Sequence, residues 1–221
     1  MSIAGFQVFN EDGVLQIDHD YRNYGFKSKG SDTCDTALGG ASSKYYAQVV
    51  VTGAVAPMVA ICPTSGNPIG LYSISVSGST WTYTYIGNNG DTFDYFVFDY
   101  DEEMVGTTKV GLEVYDESGD VVYSSGSGSM RIAGGGDGFT LVTGLDSSRD
   151  YAAIQTATGY SATYVEIIDI TYYAKIYAVT KPSSTSMGLF NMTFEQYTVG
   201  AVGTDIVSPA PFLIVVDVTD L

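Results

Sequence analysis

Short runs of apolar, β-branched and aromatic residues, some alternating with polar ones as Trp81, Tyr83 and Tyr85 do with Thr82 and Thr84, are separated along this chain by Gly, Asn, Asp, Ser or Pro. A period of two sends successive side chains to opposite faces of an extended strand, so the pattern predicts β-structure. In the first half it predicts strands over Tyr45–Thr52, Val55–Ile61, Gly70–Val76, Thr80–Ile86 and Asp94–Asp99. The separators Pro63-Thr64-Ser65-Gly66-Asn67-Pro68, Ser77-Gly78 and Gly87-Asn88-Asn89-Gly90 are built from turn formers. In the second half strands are expected near Phe139–Thr143, Tyr151–Ala157, Thr163–Ile170, Ala174–Thr180, Leu189–Tyr197 and Phe212–Val218. The Gly- and Ser-rich stretches Ser28–Ser43 and Ser124–Gly138 read as connections. No window keeps a helical period for about three turns without Gly, Pro or a β-branched residue, so almost no helix is expected. Short strands spaced about ten residues apart belong to antiparallel sandwiches or barrels.

One pattern occurs twice. Gly5-Phe6-Gln7-Val8-Phe9-Asn10-Glu11-Asp12-Gly13-Val14-Leu15 returns, 106 residues later and without a gap, as Gly111-Leu112-Glu113-Val114-Tyr115-Asp116-Glu117-Ser118-Gly119-Asp120-Val121. Each copy runs through alternating apolar positions into an Asn-Glu-Asp-Gly or Asp-Glu-Ser-Gly turn and out again, which predicts a β-hairpin. The period is too long for a solenoid, whose units are about 20–50 residues. A hairpin at 5–18 repeated at 111–124 therefore suggests an all-β chain of two tandem, antiparallel, sandwich-like domains, 1–105 and 106–221, related by duplication. After the hairpins the halves do not align convincingly, so the duplication has diverged or covers the hairpin alone.

Charge narrows the partners. With 9 Lys and Arg against 25 Asp and Glu the net charge is −16, which repels a phosphate backbone and offers no basic stripe, so nucleic acid is not an expected partner. The carboxylates gather in turns and strand ends, where they solvate a Tyr-rich surface and discourage edge-to-edge pairing. The first residues lack a basic, apolar leader, and the longest apolar stretch, Val49 to Ile61, is broken by Thr52, Gly53 and Pro57. The expectation is a protein made in a cytosol, without membrane insertion. Cys34 and Cys62 have neither metal-site spacing nor the density of a disulfide scaffold, and both are expected to be unpaired.

Candidate chemistry is sparse. His19 is the single histidine, lying between Asp18 and Asp20, and the second hairpin carries Ser124 in place of Asp18. A structural Ca2+ near Asp99, Asp101 and Glu102, with Glu103, Asp91 and Asp94 close in sequence, is conceivable on donor type, but the spacing departs from an EF-hand. An acidic turn between domains is the simpler reading, and no cofactor is expected. Gly134-Gly135-Gly136-Asp137-Gly138 lacks the Lys-Ser/Thr of a phosphate loop and reads as a flexible connection or tight turn. No catalytic residues are singled out, although a glycosidase pair of carboxylates is a three-dimensional property that sequence does not reveal. Trp81, Tyr83 and Tyr85 form an aromatic ladder on one strand face and, with Tyr172 and Tyr173, are candidates for packing, for a subunit interface or for glycan contact.

The segments "GFQVFNEDG", "PTSGNPIGLYSISVSGSTWTYTYIGNNGDTFDYFVFD" and "GLEVYDESGDVVYSS" resemble small tail-fibre or tail-tip virion proteins of long-tailed, siphovirus-like bacteriophages. The likeness rests on Gly5 to Gly13, Gly70, Tyr72, Trp81, Tyr83, Tyr95, Val97, Phe98 and Asp99, and residues beyond 124 lie outside it. It implies a non-enzymatic structural component of the virion tail, assembled in the host cytoplasm. Its partners would be other phage tail proteins and copies of itself around a three-fold or six-fold tail axis. The alternative is a receptor-binding adhesin module that recognises a host surface glycan or pilus through loops such as Pro63–Gly70 or Gly134–Gly138. A polysaccharide-degrading enzyme is a third, weaker reading.

Overall fold

The computed structural model describes residues 7–9, 15–18, 23–39, 42–100, 112–119, 121–124, 128–137, 141–158, 160–165, 170–199, 206–207 and 211–221. Every regular element among them is a strand. In chain order these are β1 (Gln7–Phe9), β2 (Leu15–Asp18), β3 (Gly25–Cys34), β4 (Thr36–Ala37), β5 (Tyr45–Val51), β6 (Met58–Pro63), β7 (Ile69–Ser77), β8 (Thr80–Gly87), β9 (Asp91–Asp99), β10 (Glu113–Tyr115) and β11 (Val121–Ser124). They continue as β12 (Arg131–Asp137), β13 (Leu141–Thr143), β14 (Tyr151–Gln155), β15 (Tyr160–Val165), β16 (Ile170–Ser183), β17 (Ser186–Val199), β18 (Ile206–Val207) and β19 (Phe212–Asp217).

Two large antiparallel sheets face each other. One runs β12-β19-β14-β6-β9-β3, and the other runs β13-β17-β16-β7-β8-β5-β4, with β15 and β18 attached beside β16. Alternation explains the interface. Val59, Ile61, Phe93, Val97, Ala153, Leu213 and Val215 of the first sheet meet Ala47, Val49, Ile69, Leu71, Tyr83, Tyr85, Tyr177, Val179 and Leu189 of the second in one buried cluster. This is the inner layer of a β-sandwich, as the period of two predicts. The six-stranded sheet also buries a second cluster, with Ala60, Phe98, Ala152, Ile154 and Val216 at its centre.

The expected boundary between residues 105 and 106 lies outside the described residues. On either side of it strands enter both sheets: β6 pairs with β14 through Ile61 and Ala153, and β7 pairs with β16 through Gly70 and Ala178. The halves share sheets and the main core.

The repeated hairpin is a repeat of structure. In the first copy Gln7, Val8 and Phe9 face Asp18, Ile17 and Leu15, with a bulge between Val8 and Phe9. In the second, Glu113, Val114 and Tyr115 face Ser124, Tyr123 and Val121, with the bulge between Val114 and Tyr115. Every pairing and the bulge recur at the 106-residue offset. Both hairpins form two-stranded sheets of their own.

Two connections read from composition are corrected. Ser28–Ser43 was expected to be a linker, but most of its first part belongs to the ten-residue strand β3, paired with β9 from Gly25↔Asp99 to Cys34↔Asp91. Likewise Gly134 to Asp137 continue β12 against β19 instead of turning. Both are edge strands, β12 largely exposed and β3 mostly half-buried, so small and polar residues serve there and the apolar alternation is missing. Glycine has a packing role as well: a Cβ at Gly134 would stand 2.8 Å from Val142 Cγ1.

Candidate functional site

The aromatic ladder is the first site to place. On β8, Tyr83 and Tyr85 are 5% and 2% exposed, and Trp81 packs half-buried against the same core. The Tyr83 hydroxyl donates to Pro57 O, the Tyr85 hydroxyl reaches Val59 O at 3.5 Å, and the Tyr85 ring lies 5.3 Å from that of Phe93. Burial, reinforced by the Asp99 carboxylate, pushes the Tyr83 phenol up to about 12, and burial raises Tyr85 further. The rings of Tyr83 and Tyr85 are occupied by packing between the sheets. Tyr172 and Tyr173 belong to β16, opposite Tyr164 and Thr163 of β15 and Tyr197 and Gln196 of β17, and β7 separates that strand from β8.

Asp99 is an anchor. Its carboxylate is 1% exposed and accepts hydrogen bonds from Val55 N (3.2 Å), Ala56 N (2.9 Å), Tyr100 N (2.9 Å) and Lys27 Nζ (3.1 Å). These donors tie loop 53–57 to the six-stranded sheet. The same loop donates from Ala54 N to Ser79 O at the β7–β8 turn, 3.1 Å away, and Pro57 O receives the Tyr83 hydroxyl. One buried carboxylate thus positions the tip of a hairpin in the other sheet. Asp101, Glu102, Glu103 and His19 lie outside the described residues. Among the described residues no group of three or more His, Cys, Asp or Glu is arranged to hold a metal ion.

An open cleft of about 890 Å³ lies against the six-stranded sheet, with Lys29, Ser31, Asp94, Phe96, Asp150 and Lys181 in its wall. Cys62 faces it, with Lys181 Nζ 3.5 Å from its sulfur. Burial nevertheless outweighs Lys181 and raises the Cys62 thiol, which disfavours the thiolate a nucleophile requires. Cys34 is fully buried, its thiol pushed up to about 12 by burial and by Asp91. The cleft's hydroxyls, carboxylates and rings suit a polar ligand, and they gather no activated nucleophile.

Pattern reading passes over a different surface. Between Lys44 and Asp91 the chain carries no Asp, Glu, Lys, Arg or His, although the whole has a net charge of −16. That uncharged run forms β5, β6, β7 and β8. Its exposed apolar side chains are Val50, Val55, Tyr72, Ile74 and Val76, between 38% and 56% exposed. Ile74 and Val76 lie opposite Tyr83 and Trp81 in register, which puts them on the core-facing side of the sheet. The signal in the sequence is the missing charge, which the hydrophobic period does not report.

The cause is the bulge in β7. Ile69 and Gly70 pair with Val179 and Ala178 of β16, but from Ile176 to Thr171 the same edge of β16 is taken by β15. At the bulge between Leu71 and Ser73 strand β7 leaves β16, and Leu71 N is satisfied by Gln155 Oε1 of the opposite sheet at 3.3 Å. Beyond it, the described pairings of β7 are to β8 alone. No family model, curated protein or solved structure matches this chain.

Proposed function

We propose that this protein is a non-enzymatic structural component of a bacteriophage tail tip or tail fibre, which works by shape and by repeated contacts with other tail proteins and with its own copies. The observation that carries the reading is the hairpin present twice with the same register and the same bulge. Two equivalent hairpins give one subunit two similar contact elements, and linked weak contacts hold an assembly through effective concentration. The uncharged β5–β8 surface and the resemblance of residues 5–124 to tail proteins support it. Its location is then the virion tail, with assembly in the host cytoplasm around a three-fold or six-fold axis, and it requires no cofactor.

Quantitative mass spectrometry of salt-washed particles tests this. A few copies per particle, in a multiple of three or six relative to the major tail-tube protein, is the expected result. Absence from the particle overturns it.

The cleft favours a second reading, an adhesin module for a host surface glycan. Hydroxyls and carboxylates beside Phe96 and Tyr151 match the donors, acceptors and apolar faces of a saccharide. Saturable binding of purified protein to host cells, abolished by changes in the cleft, would establish that role.

A further inference from the structure

We infer that residues 73–77 of β7 are a strand-pairing site for a second copy of this chain, joined edge to edge and antiparallel about a two-fold axis. The edge is built for pairing. Every described ladder contact of residues 73–77 is to β8, and Ile74 and Val76 are 40% and 53% exposed on the face that elsewhere forms the core. Natural edge strands discourage such pairing with charge, proline or brevity. The free part of this strand, residues 73–77, is short and follows a bulge, but it carries neither charge nor proline.

The sequence of the edge selects the occupant. Residues 73–77 read Ser-Ile-Ser-Val-Ser, the same pattern in both directions. Antiparallel pairing of two copies centred on Ser75 sets Ser75 against Ser75, Ile74 against Val76 and Ser73 against Ser77. Apolar meets apolar on one face and hydroxyl meets hydroxyl on the other, as a two-fold contact requires of a single surface patch. Charge points the same way. Two molecules of net charge −16 repel, and residues 73–77, with the whole run from Tyr45 to Gly90, contribute no carboxylate of their own to such a contact. The added strand also continues the row formed by Val49, Tyr83 and Ile74, and the row formed by Val51, Trp81 and Val76, both of which end at the open edge.

The proposal deepens the structural reading above by naming where copies meet in pairs, six copies about the tail axis being three such dimers on local two-folds, and it rests on that reading only for the presence of several copies in one assembly. Five paired residues make a small contact, so the full chain is expected to dimerise weakly, with Kd of about 1–100 μM. Sedimentation equilibrium of the full chain measures this. Val76→Lys, at an exposed position, should weaken the dimer at least about tenfold by placing a charge in the pairing face, with the unfolding midpoint of the monomer unchanged. Val50→Lys, on the opposite face of the same sheet and 55% exposed, is the control and should leave the dimer intact. Ser75→Cys should form a disulfide-linked dimer under mild oxidation, in excess of the wild-type background from Cys34 and Cys62. A monomer at all concentrations, a dimer indifferent to Val76→Lys, or failure of Ser75→Cys to cross-link each overturns the inference. So does pairing of this edge only with a strand of a different tail protein. None of these results alters the copy number counted in particles, so the two readings fail separately.

Discussion

Strand β7 is two structures in one. From Ile69 to Leu71 it lies between β16 and β8 and is buried throughout, with Ile69 0% and Leu71 2% exposed. From Ser73 onward aliphatic residues alternate with serines against β8, yet Ile74 and Val76 are exposed. Both halves place aliphatic residues on the core-facing side; what separates their burial is the neighbours. Alternation determines which side chains share a face, and pairing determines whether that face is covered. The switch is the bulge, which lies where β15 claims the edge that β7 gives up.

The largest effect should come from truncating equivalent positions on either side of the bulge. Leu71→Ala removes a fully packed side chain from the main core and is expected to cost about 2–5 kcal/mol. Val76→Ala, measured below the concentration at which copies associate, should change stability by no more than about 0.5 kcal/mol, as for other surface positions. Equilibrium denaturation of both variants measures the contrast. Equal losses would mean that the distal half of β7 is covered in the monomer.

Asp99 tests whether the open corner is held from the other sheet. Asp99→Ala leaves the N–H groups of Val55 and Ala56 without their Asp99 acceptor and removes one of the groups that Lys27 contacts, Gly53 O being another, at an expected cost of about 3 kcal/mol. Because loop 53–57 also donates to Ser79 O, amide exchange at Ala54 should accelerate more than exchange in β14. Uniform acceleration would instead indicate a general loss of stability, with no specific link between Asp99 and the hairpin tip.

Tyr83 reports on the seal between the two halves. Its folded-state pKa is raised to about 12 from 10.0, so the folded protein keeps this phenolic proton to higher pH than the unfolded chain does. The corresponding stability is complete below pH 10.0 and is lost as pH rises toward about 12. Tyr83→Phe should remove about one proton from the alkaline slope of unfolding free energy. An ordinary titration of Tyr83, followed by tyrosinate absorbance, would show that water reaches past Ile74 to the row behind it.

A parallel acid limb belongs to Asp217. Burial opposes its ionisation, but hydrogen bonds from Thr219 and Arg149 and the charge of Arg131 outweigh that, holding the carboxyl below its usual range. Its contribution is therefore present above the unfolded carboxylate value and is lost as pH falls through the depressed folded one. Asp217→Asn should flatten stability in that acid window.

Much of this fold was legible because apolar, β-branched and aromatic runs are cut by turn formers. β5, β7, β8, β14 and β19 fall within a few residues of those runs, although β14 and β19 are continuously apolar and do not alternate. Edge strands were not legible. β3 and β12 spend their residues on solvent and on close backbone approach, as Gly30 does beneath the Tyr95 ring, so Ser, Gly and Lys conceal them. The ladder of Trp81, Tyr83 and Tyr85 was visible as a face, but its burial depends on the opposite sheet, which local pattern does not contain. The distal half of β7 had a signal of another kind, an uncharged run, but only the bulge and β15 account for its pairing, among the described residues, with β8 alone.

A smaller loss concerns the repeated hairpins and tests how far their equivalence extends. Gly119 closes the second hairpin with φ of 87°, in the left-handed region, and nothing lies within 4 Å of where its Cβ would be. Gly119→Ala therefore meets no steric obstacle except backbone strain, and should cost about 1 kcal/mol. Gly13 occupies the same place in the first copy, 106 residues earlier. If the repeated register implies a repeated turn, Gly13→Ala costs the same within error, and the double variant costs the sum, because each hairpin is a separate two-stranded sheet. A neutral Gly13→Ala would confine the duplication to the paired residues, with a different turn in the first copy. Losses that exceed the sum would show that the two hairpins act on each other, which their separate pairing does not predict.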